Sequence, residues 1–149
     1  MAREITEFQG EWRWLSNFWP CPVKLGAWTF PSAEHAYQAM KTLGATERAR
    51  FTDPALTPGQ AKRLGQRVAL RPDWEAQKKR AMLRVLLAKF IQNPELAELL
   101  YATDDAYLEE GNTWHDNFWG ACGCDKHAGQ GLNYLGRILM SVRDIMRPD

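Results

Sequence analysis

The spacing of apolar positions divides the chain into a short-period start, a helical middle, one irregular stretch and a helical end. Residues 4–9 alternate weakly and predict a strand that breaks at Gly10; residues 11–14 predict a second short strand or its continuation after a bend. Residues 21–25 and 28–30 predict a hairpin around Gly26-Ala27. Pro31 closes the return strand and Ser32 is a good N-cap for a helix over 32–41. The first forty residues thus read as a small antiparallel sheet delivering a helix. Short helices are predicted near 46–51, up to Asp53-Pro54, and from after Pro58 to about Arg67. Asp73 is the expected N-cap of the longest helix, 74–92, in which Met82, Val85, Leu86 and Phe90 recur at the spacing of a buried stripe. Pro94 opens a helix ending near Ala102, and residues 106–110 predict a strand. Residues 111–131 have no period, and the last helix, 132–146, carries the stripe Leu135, Ile138, Leu139, Val142, Ile145 and Met146. The class expected is α+β: a compact, mainly helical single domain over 1–149 with a small N-terminal antiparallel sheet.

Composition narrows the function classes. The chain has 149 residues, 45% hydrophobic and 25% charged, with a net charge of +1. That balance gives little support for tight non-specific nucleic-acid binding, which rests on many phosphate contacts. No apolar run approaches ~18 residues and no basic-then-apolar leader is present, so neither a membrane span nor a signal peptide is expected. Three cysteines make no disulfide framework and point to a reducing cytoplasm. Seven tryptophans are the unusual count: such rings fill cores but also stack on bases and sugars.

The chemistry begins on the helix after Ser32. At ~3.6 residues per turn, Glu34, Gln38 and Lys41 share one face, a row of carboxylate, amide and amine. Such a row is ordinarily a solvated surface. Its context decides whether it is instead the floor of a site. Near the N-terminus, Ser16-Asn17-Phe18-Trp19 places large aromatics in a turn. In the irregular stretch, Trp114-His115-Asp116-Asn117-Phe118-Trp119 sets aromatics beside a carboxylate and amides. Stacking rings, edge-reading amides and a carboxylate suit a flat heterocycle attached to a sugar. Gly129-Gln130-Gly131 runs straight into the last helix; its amides suit a phosphate, or simply a flexible entry into the helix. Arg63, Arg67, Arg71 and Lys78 are possible phosphate partners, each more often surface, and Lys78, Lys79, Arg80 and Arg84 read as a solvated basic face. Cys122, Cys124 and His127, with His115, are zinc-type ligands, but their spacing matches no common structural site. The expectation is incidental thiols in a glycine-rich loop, with no metal, and nothing marks a lowered cysteine pKa that would make a nucleophile.

The stretch RWLSNFWPCPVKLGAWTFPSAEHAYQAMKT closely resembles the opening of the NADAR, or YbiA-like, family. LRPDWE, AKF, LEEGNTWHDNFWG and GQGLNYLGRILMSVR are similar to its later blocks in the same order, so the resemblance spans nearly the whole chain. The Cys122–His127 insert is its least typical part. The resemblance implies a hydrolase of N-glycosidic bonds without a cofactor. Some members act on ribosylamino intermediates of riboflavin biosynthesis; others remove ADP-ribose from guanine in nucleic acid. The site residues it implies are Glu34, Lys41 and Asp116 for chemistry. Trp74 and Trp119 would wall the base or ribose, with Ser16, Asn17, Phe18, Gln38, Trp114, Asn117, Gly131 and Asn133 around the substrate. The partners implied are a small nucleotide-type substrate or ADP-ribosylated nucleic acid, with possible association with an ADP-ribosyltransferase toxin system. Removal of ADP-ribose from guanine is the favoured activity. The alternatives are hydrolysis of phosphoribosylamino pyrimidines and a module that binds ADP-ribose or a nucleotide without cleaving it. Glu34, near a helix N-terminus, is expected ionised and suited to base or electrostatic work. Lys41 acts either as an ammonium, holding phosphate or protonating the leaving nitrogen, or as a neutral amine forming a Schiff base, which requires a depressed pKa. Asp116 is the candidate second acid or base.

Overall fold

The structure, a computed structural model, describes residues 3–148. They fall into two compact units, one formed by Asn17–Pro94 and the other by residues 3–16 together with 95–148. The class is α+β.

In the first unit, β2 (Pro20–Leu25) and β3 (Trp28–Ser32) pair antiparallel, with Val23 opposite Phe30 and Leu25 opposite Trp28. The turn falls at Gly26-Ala27, where Gly26 has φ +60°, a left-handed conformation that costs glycine nothing. Cys21, Val23 and Leu25 alternate inward, so one face of the hairpin is core. Pro31 does not end the strand; the pairing runs on to Ser32, opposite Pro20. Ser32 then caps α1 (Ala33–Ala39), its hydroxyl accepting the His35 N–H at 3.2 Å, a cap worth about 1 kcal/mol. The His35 ring bridges the Ser32 hydroxyl and the Leu56 carbonyl, each at 2.6 Å, and so pins the 50–57 turn against the start of the helix.

After α1 come α2 (Ala45–Ala49), a 3-10 turn (Arg50–Thr52) and α3 (Pro58–Gly65), the last opened by a capping box between Thr57 and Gln60. α4 spans Trp74–Gln92 as its periodicity predicts, with Met82, Val85, Leu86 and Phe90 buried. Asp73 stands at its N-cap position but makes no side-chain cap; its carboxylate pairs with Arg71 instead, at 2.6 and 3.0 Å. α4 packs on β2, and its C-terminus is stapled there. Gln92 exchanges two bonds with the Lys24 backbone, and the Asn93 amide donates to the Pro22 carbonyl.

In the second unit, β1 is only Glu4–Ile5, and it pairs parallel with β4 (Tyr107–Leu108) rather than joining the hairpin. Residues 11–14 are not a strand. Gly10–Leu15 is a 3-10 helix that buries Trp14 and Leu15, a period-three arrangement that short alternation imitates. α5 covers Pro94–Tyr101. The irregular stretch contains two parallel two-residue strands, β5 (Gly111–Asn112) and β6 (Ala121–Cys122). α6 covers Tyr134–Met146 and buries Leu135, Leu139 and Val142, while Ile145 is exposed, contrary to the predicted stripe. Arg143 takes a buried place instead, donating to the Thr103 hydroxyl at 2.8 Å. Among the described residues no helix is long and apolar enough to cross a membrane.

Candidate active site

The row on α1 is not a solvated surface. Every residue of the helix is buried, with Glu34 8% and Gln38 3% exposed. A carboxylate there must be bonded to survive. The Gln38 side-chain N–H donates to Glu34 Oε2 at 2.7 Å, across the one-turn spacing read from the sequence. The Glu34 backbone N–H donates to the Asn17 carbonyl at 2.9 Å, which ties the 16–19 turn to the start of the helix.

Lys41 lies beyond the helix rather than on it. α1 ends at Ala39, and the Lys41 N–H closes a 3-10-type bond of 3.2 Å to the Gln38 carbonyl. The Lys41 carbonyl accepts the Arg71 N–H at 2.8 Å, so its backbone is held from both sides. Burial pushes the Lys41 amine below its ordinary pKa. Glu34 opposes that shift and the Lys62 ammonium on α3 adds to it. The two causes a reactive lysine needs, desolvation and a neighbouring cation, are both present, and Glu34 and Lys41 feel each other's charge.

α3 also explains how Gln38 is held. A Cβ on Gly65 would lie 1.9 Å from Gln38 Oε1, so the amide is pressed against the α3 backbone, where only hydrogen fits. Gln38 Oε1 has no hydrogen-bond partner there, and its nitrogen is thereby turned to Glu34. Lys62 and Gly65 escaped the sequence reading. Their i, i+3 spacing puts them on one face of a helix, but nothing in the sequence tells which helix that face meets.

Trp74, buried at the start of α4, stacks tilted against Tyr37 of α1 with 5.3 Å between centroids. Asn17 is buried, with its amide nitrogen on Met82 Sδ at 3.4 Å and its Oδ1 unpartnered. Phe18 is 43% exposed. Burial, then the charges of Arg71 and Arg84, lowers the Arg48 pKa, which places three guanidinium groups within electrostatic reach. Arg48 donates to the Thr42 carbonyl at 2.7 Å, next to Lys41 in the chain. A separate cavity of about 500 Å³ is lined by Arg50, Arg63 and Arg67 with Asp53 and Gln60.

In the other unit, the Asp116 loop is built by hydrogen bonds of its own. Asp116 Oδ1 accepts the backbone N–H groups of Phe118 at 3.2 Å and Trp119 at 2.9 Å. The Asn112 amide grips the Asp116 backbone, donating to its carbonyl at 2.8 Å and accepting its N–H at 3.2 Å. Asn112 was not foreseen; the sequence shows only its place at the root of the long irregular stretch, and its burial comes from the structure. Phe118 packs edge-on to Trp119 at 4.8 Å and against Tyr134 at 4.9 Å. Trp114 and Asn117 are exposed, and Ser16 is half-buried at the end of the 3-10 helix, its N–H on the Arg13 carbonyl.

The N–H groups of Leu132, Asn133, Tyr134 and Leu135 donate to the carbonyls of Asn117, Gly120, Phe118 and Trp119, so these four amides are not open to a phosphate. Gly131 permits this, since a Cβ would meet the Gly120 carbonyl at 2.1 Å. Asn133, at φ +51°, spends its amide on the Glu110 N–H, the Leu108 carbonyl and the Tyr107 hydroxyl. Cys124 departs from expectation: burial raises its pKa, but hydrogen bonds from Cys122, His127 and His115 outweigh that and bring it to about 6.

Comparison with known proteins agrees with this architecture. The chain is 38% identical to an N-glycosidase of Nostoc punctiforme, over 89% of this chain and 85% of that one. It is 39% identical to the N-glycosidase YbiA of Escherichia coli, over 87% and 79%. It is 38% identical to a riboflavin biosynthesis protein of Vibrio vulnificus, over 87% of this chain but 34% of that one. The NMR structure of E. coli YbiA superposes with a TM-score of 0.80 at 34% identity, covering 98% of this chain and 86% of that one. The NADAR domain model matches residues 6–147, and the chain belongs to the NADAR domain family.

Proposed function

We propose that this chain is an N-glycosidase whose reaction centre is the Glu34–Lys41 pair. The observation that carries the reading is the state of Lys41: an amine with a lowered pKa beside a buried carboxylate that Gln38 holds in place. A neutral Lys41 amine adds to C1 of the ring-opened sugar. The base nitrogen then leaves with the proton that the amine gives up, and an imine remains on Lys41. Water adds to the imine, returning the free amine and releasing the sugar as its aldehyde. Glu34 stabilises positive charge at C1 and relays the proton. Curated relatives named as N-glycosidases support the bond type.

The substrate we favour is an ADP-ribosyl group on guanine. Its pyrophosphate needs cationic partners, and Arg48, bonded to the Thr42 carbonyl next to Lys41, lies within electrostatic reach of Arg71 and Arg84. The second reading, a phosphoribosylamino pyrimidine, is favoured by the riboflavin biosynthesis names among the relatives. Incubating the protein with each substrate and following the released base or amine by chromatography separates these two. Ligand binding without turnover of either would point to a binding module. Borohydride added during turnover traps an imine on Lys41; full turnover with no adduct refutes the imine route. Glu34→Gln keeps an acceptor for Gln38 but removes the charge, and turnover is expected to vanish with the fold intact. A wild-type rate in that variant removes Glu34 from the mechanism.

A further inference from the structure

His115, Cys122, Cys124 and His127 each present one ligand atom, and the four atoms lie within 4.8 Å of one another. In a tetrahedral zinc site with Zn–S near 2.3 Å and Zn–N near 2.0–2.1 Å, neighbouring donors sit about 3.3–3.8 Å apart. The gap is at most about 1.0–1.5 Å, within reach of side-chain rotation. Cys124 Sγ and His127 Nδ1 already stand 3.0 Å apart, and the two imidazole rings are 5.6 Å between centroids.

The backbone explains why donors with unfamiliar spacing meet. The 122–130 segment closes on itself. The N–H of Cys122 donates to the Gln130 carbonyl at 3.0 Å and that of Gly129 to the Cys122 carbonyl at 2.7 Å, while a turn from Cys124 to Ala128 brings His127 back beside Cys124. The Gly123 N–H donates to the Asn112 carbonyl at 2.7 Å, and Asn112 also grips Asp116, so His115 is brought to the same place from the other loop. The Cys124 backbone N–H donates to Cys122 Sγ at 3.5 Å, the kind of outer bond that orients a thiolate ligand.

We propose that this cluster is a Cys2His2 site for a soft divalent transition metal, zinc first, joining the 112–120 loop to the 122–130 loop. Two thiolates and two imidazoles exclude magnesium and calcium, which require oxygen donors. Four protein ligands fill a tetrahedral shell, so the role is structural, with no open position for substrate. The site would add a second hold on the loop of Asp116 and Trp119 to the Asn112 bonds.

The test uses the full chain, reduced, stripped with a chelator and titrated with zinc against a chromogenic competitor. One equivalent is expected, with a raised thermal midpoint. Cobalt in its place should show the strong visible bands of a tetrahedral ion and a sulfur-to-metal charge-transfer band. Cys124→Ser and His115→Asn alter half-exposed and exposed side chains, so the fold should persist in both. Outer partners alone are worth about 10–100-fold in affinity, so loss of a ligand should weaken zinc by more than ~100-fold and abolish the thermal shift. Affinity unchanged by either substitution, sub-stoichiometric uptake, or a weak octahedral cobalt spectrum without the sulfur band would overturn the site.

Discussion

Replacing Gly65 by alanine tests the support of the reaction centre. On helix propensity alone, Gly65→Ala in α3 should stabilise the protein by about 0.5–1 kcal/mol. The structure reverses the sign. The new Cβ would stand 1.9 Å from Gln38 Oε1, 2.7 Å from its Cδ and 3.2 Å from its Cβ, so swinging the amide aside relieves only part of the overlap. Overpacking of this kind costs about 1–3 kcal/mol. Displacing the amide also breaks its 2.7 Å bond to Glu34, and a hydrogen bond to a charged group is worth about 1.5–3 kcal/mol. The net expectation is a loss of about 2–5 kcal/mol, with turnover reduced because Glu34 loses the Gln38 bond. Denaturant melts and turnover should be measured for Gly65→Ala, Gln38→Ala and the double variant. In the Gln38→Ala background the contacts with Oε1 and Cδ are gone and only the 3.2 Å contact with Cβ remains, so Gly65→Ala should cost far less, giving a coupling of roughly 2 kcal/mol or more. Equal costs in both backgrounds, or a single variant as stable and active as the wild type, would refute the reasoning.

Lys62→Met removes a positive charge that lowers the Lys41 pKa, so the rising limb of the pH–rate profile should move to higher pH; an unmoved limb means that Lys41 ionisation does not set it. Lys89 is fully buried, and burial takes its pKa from 10.5 to about 8 with Cys21 opposing. Between those values the unfolded chain holds the proton more tightly, so stability rises with pH from about 8 toward 10.5, and thermal midpoints of Lys89→Met should lack that rise. The His35 pKa is depressed, mainly by burial, so its share of stability is present above pH 6.5 and lost as pH falls through the lower folded value; His35→Gln should flatten that acid limb of the melting curve. Asp116→Asn retains an oxygen for the Phe118 and Trp119 amides while Asp116→Ala does not, so the alanine variant should lose about 0.5–2 kcal/mol in a thermal melt and the asparagine variant much less.

The elements that the sequence disclosed are those with a strong local signal. The limits of α4, the 21–30 hairpin and the Ser32 cap follow from periodicity, turn chemistry and a single hydroxyl. The exposed-or-buried status of the Glu34/Gln38 row was not legible, because a polar row looks alike in water and under a second helix; only α3 arriving at Gly65 distinguishes them. Residues 11–14 misled because Trp12 and Trp14 alternate with charges, yet the burial of Trp14 comes from a 3-10 turn. Tertiary partners also decide Asn133, whose left-handed backbone is held by bonds to residues 107–110, far upstream. The thiols looked incidental because ligand spacing is judged within a loop, whereas His115 arrives from a different one.

The parallel pairing of β1 with β4 has a consequence for the order in which the chain matures. Glu4 and Ile5 find their partners at Tyr107 and Leu108, roughly a hundred residues downstream. At about 5–20 residues per second, the ribosome takes about 5–20 s to supply them. Asn17–Pro94 can fold as soon as it emerges, since its hairpin, caps and helix contacts all lie within it. Residues 3–16, including Trp12 and Trp14, must wait for residues 95–148, with which they form one unit. Their closure is a late, long-range event, the kind that slows folding and exposes apolar surface meanwhile. A bulky fusion placed just before β1 would therefore burden this last step more than one placed after α6.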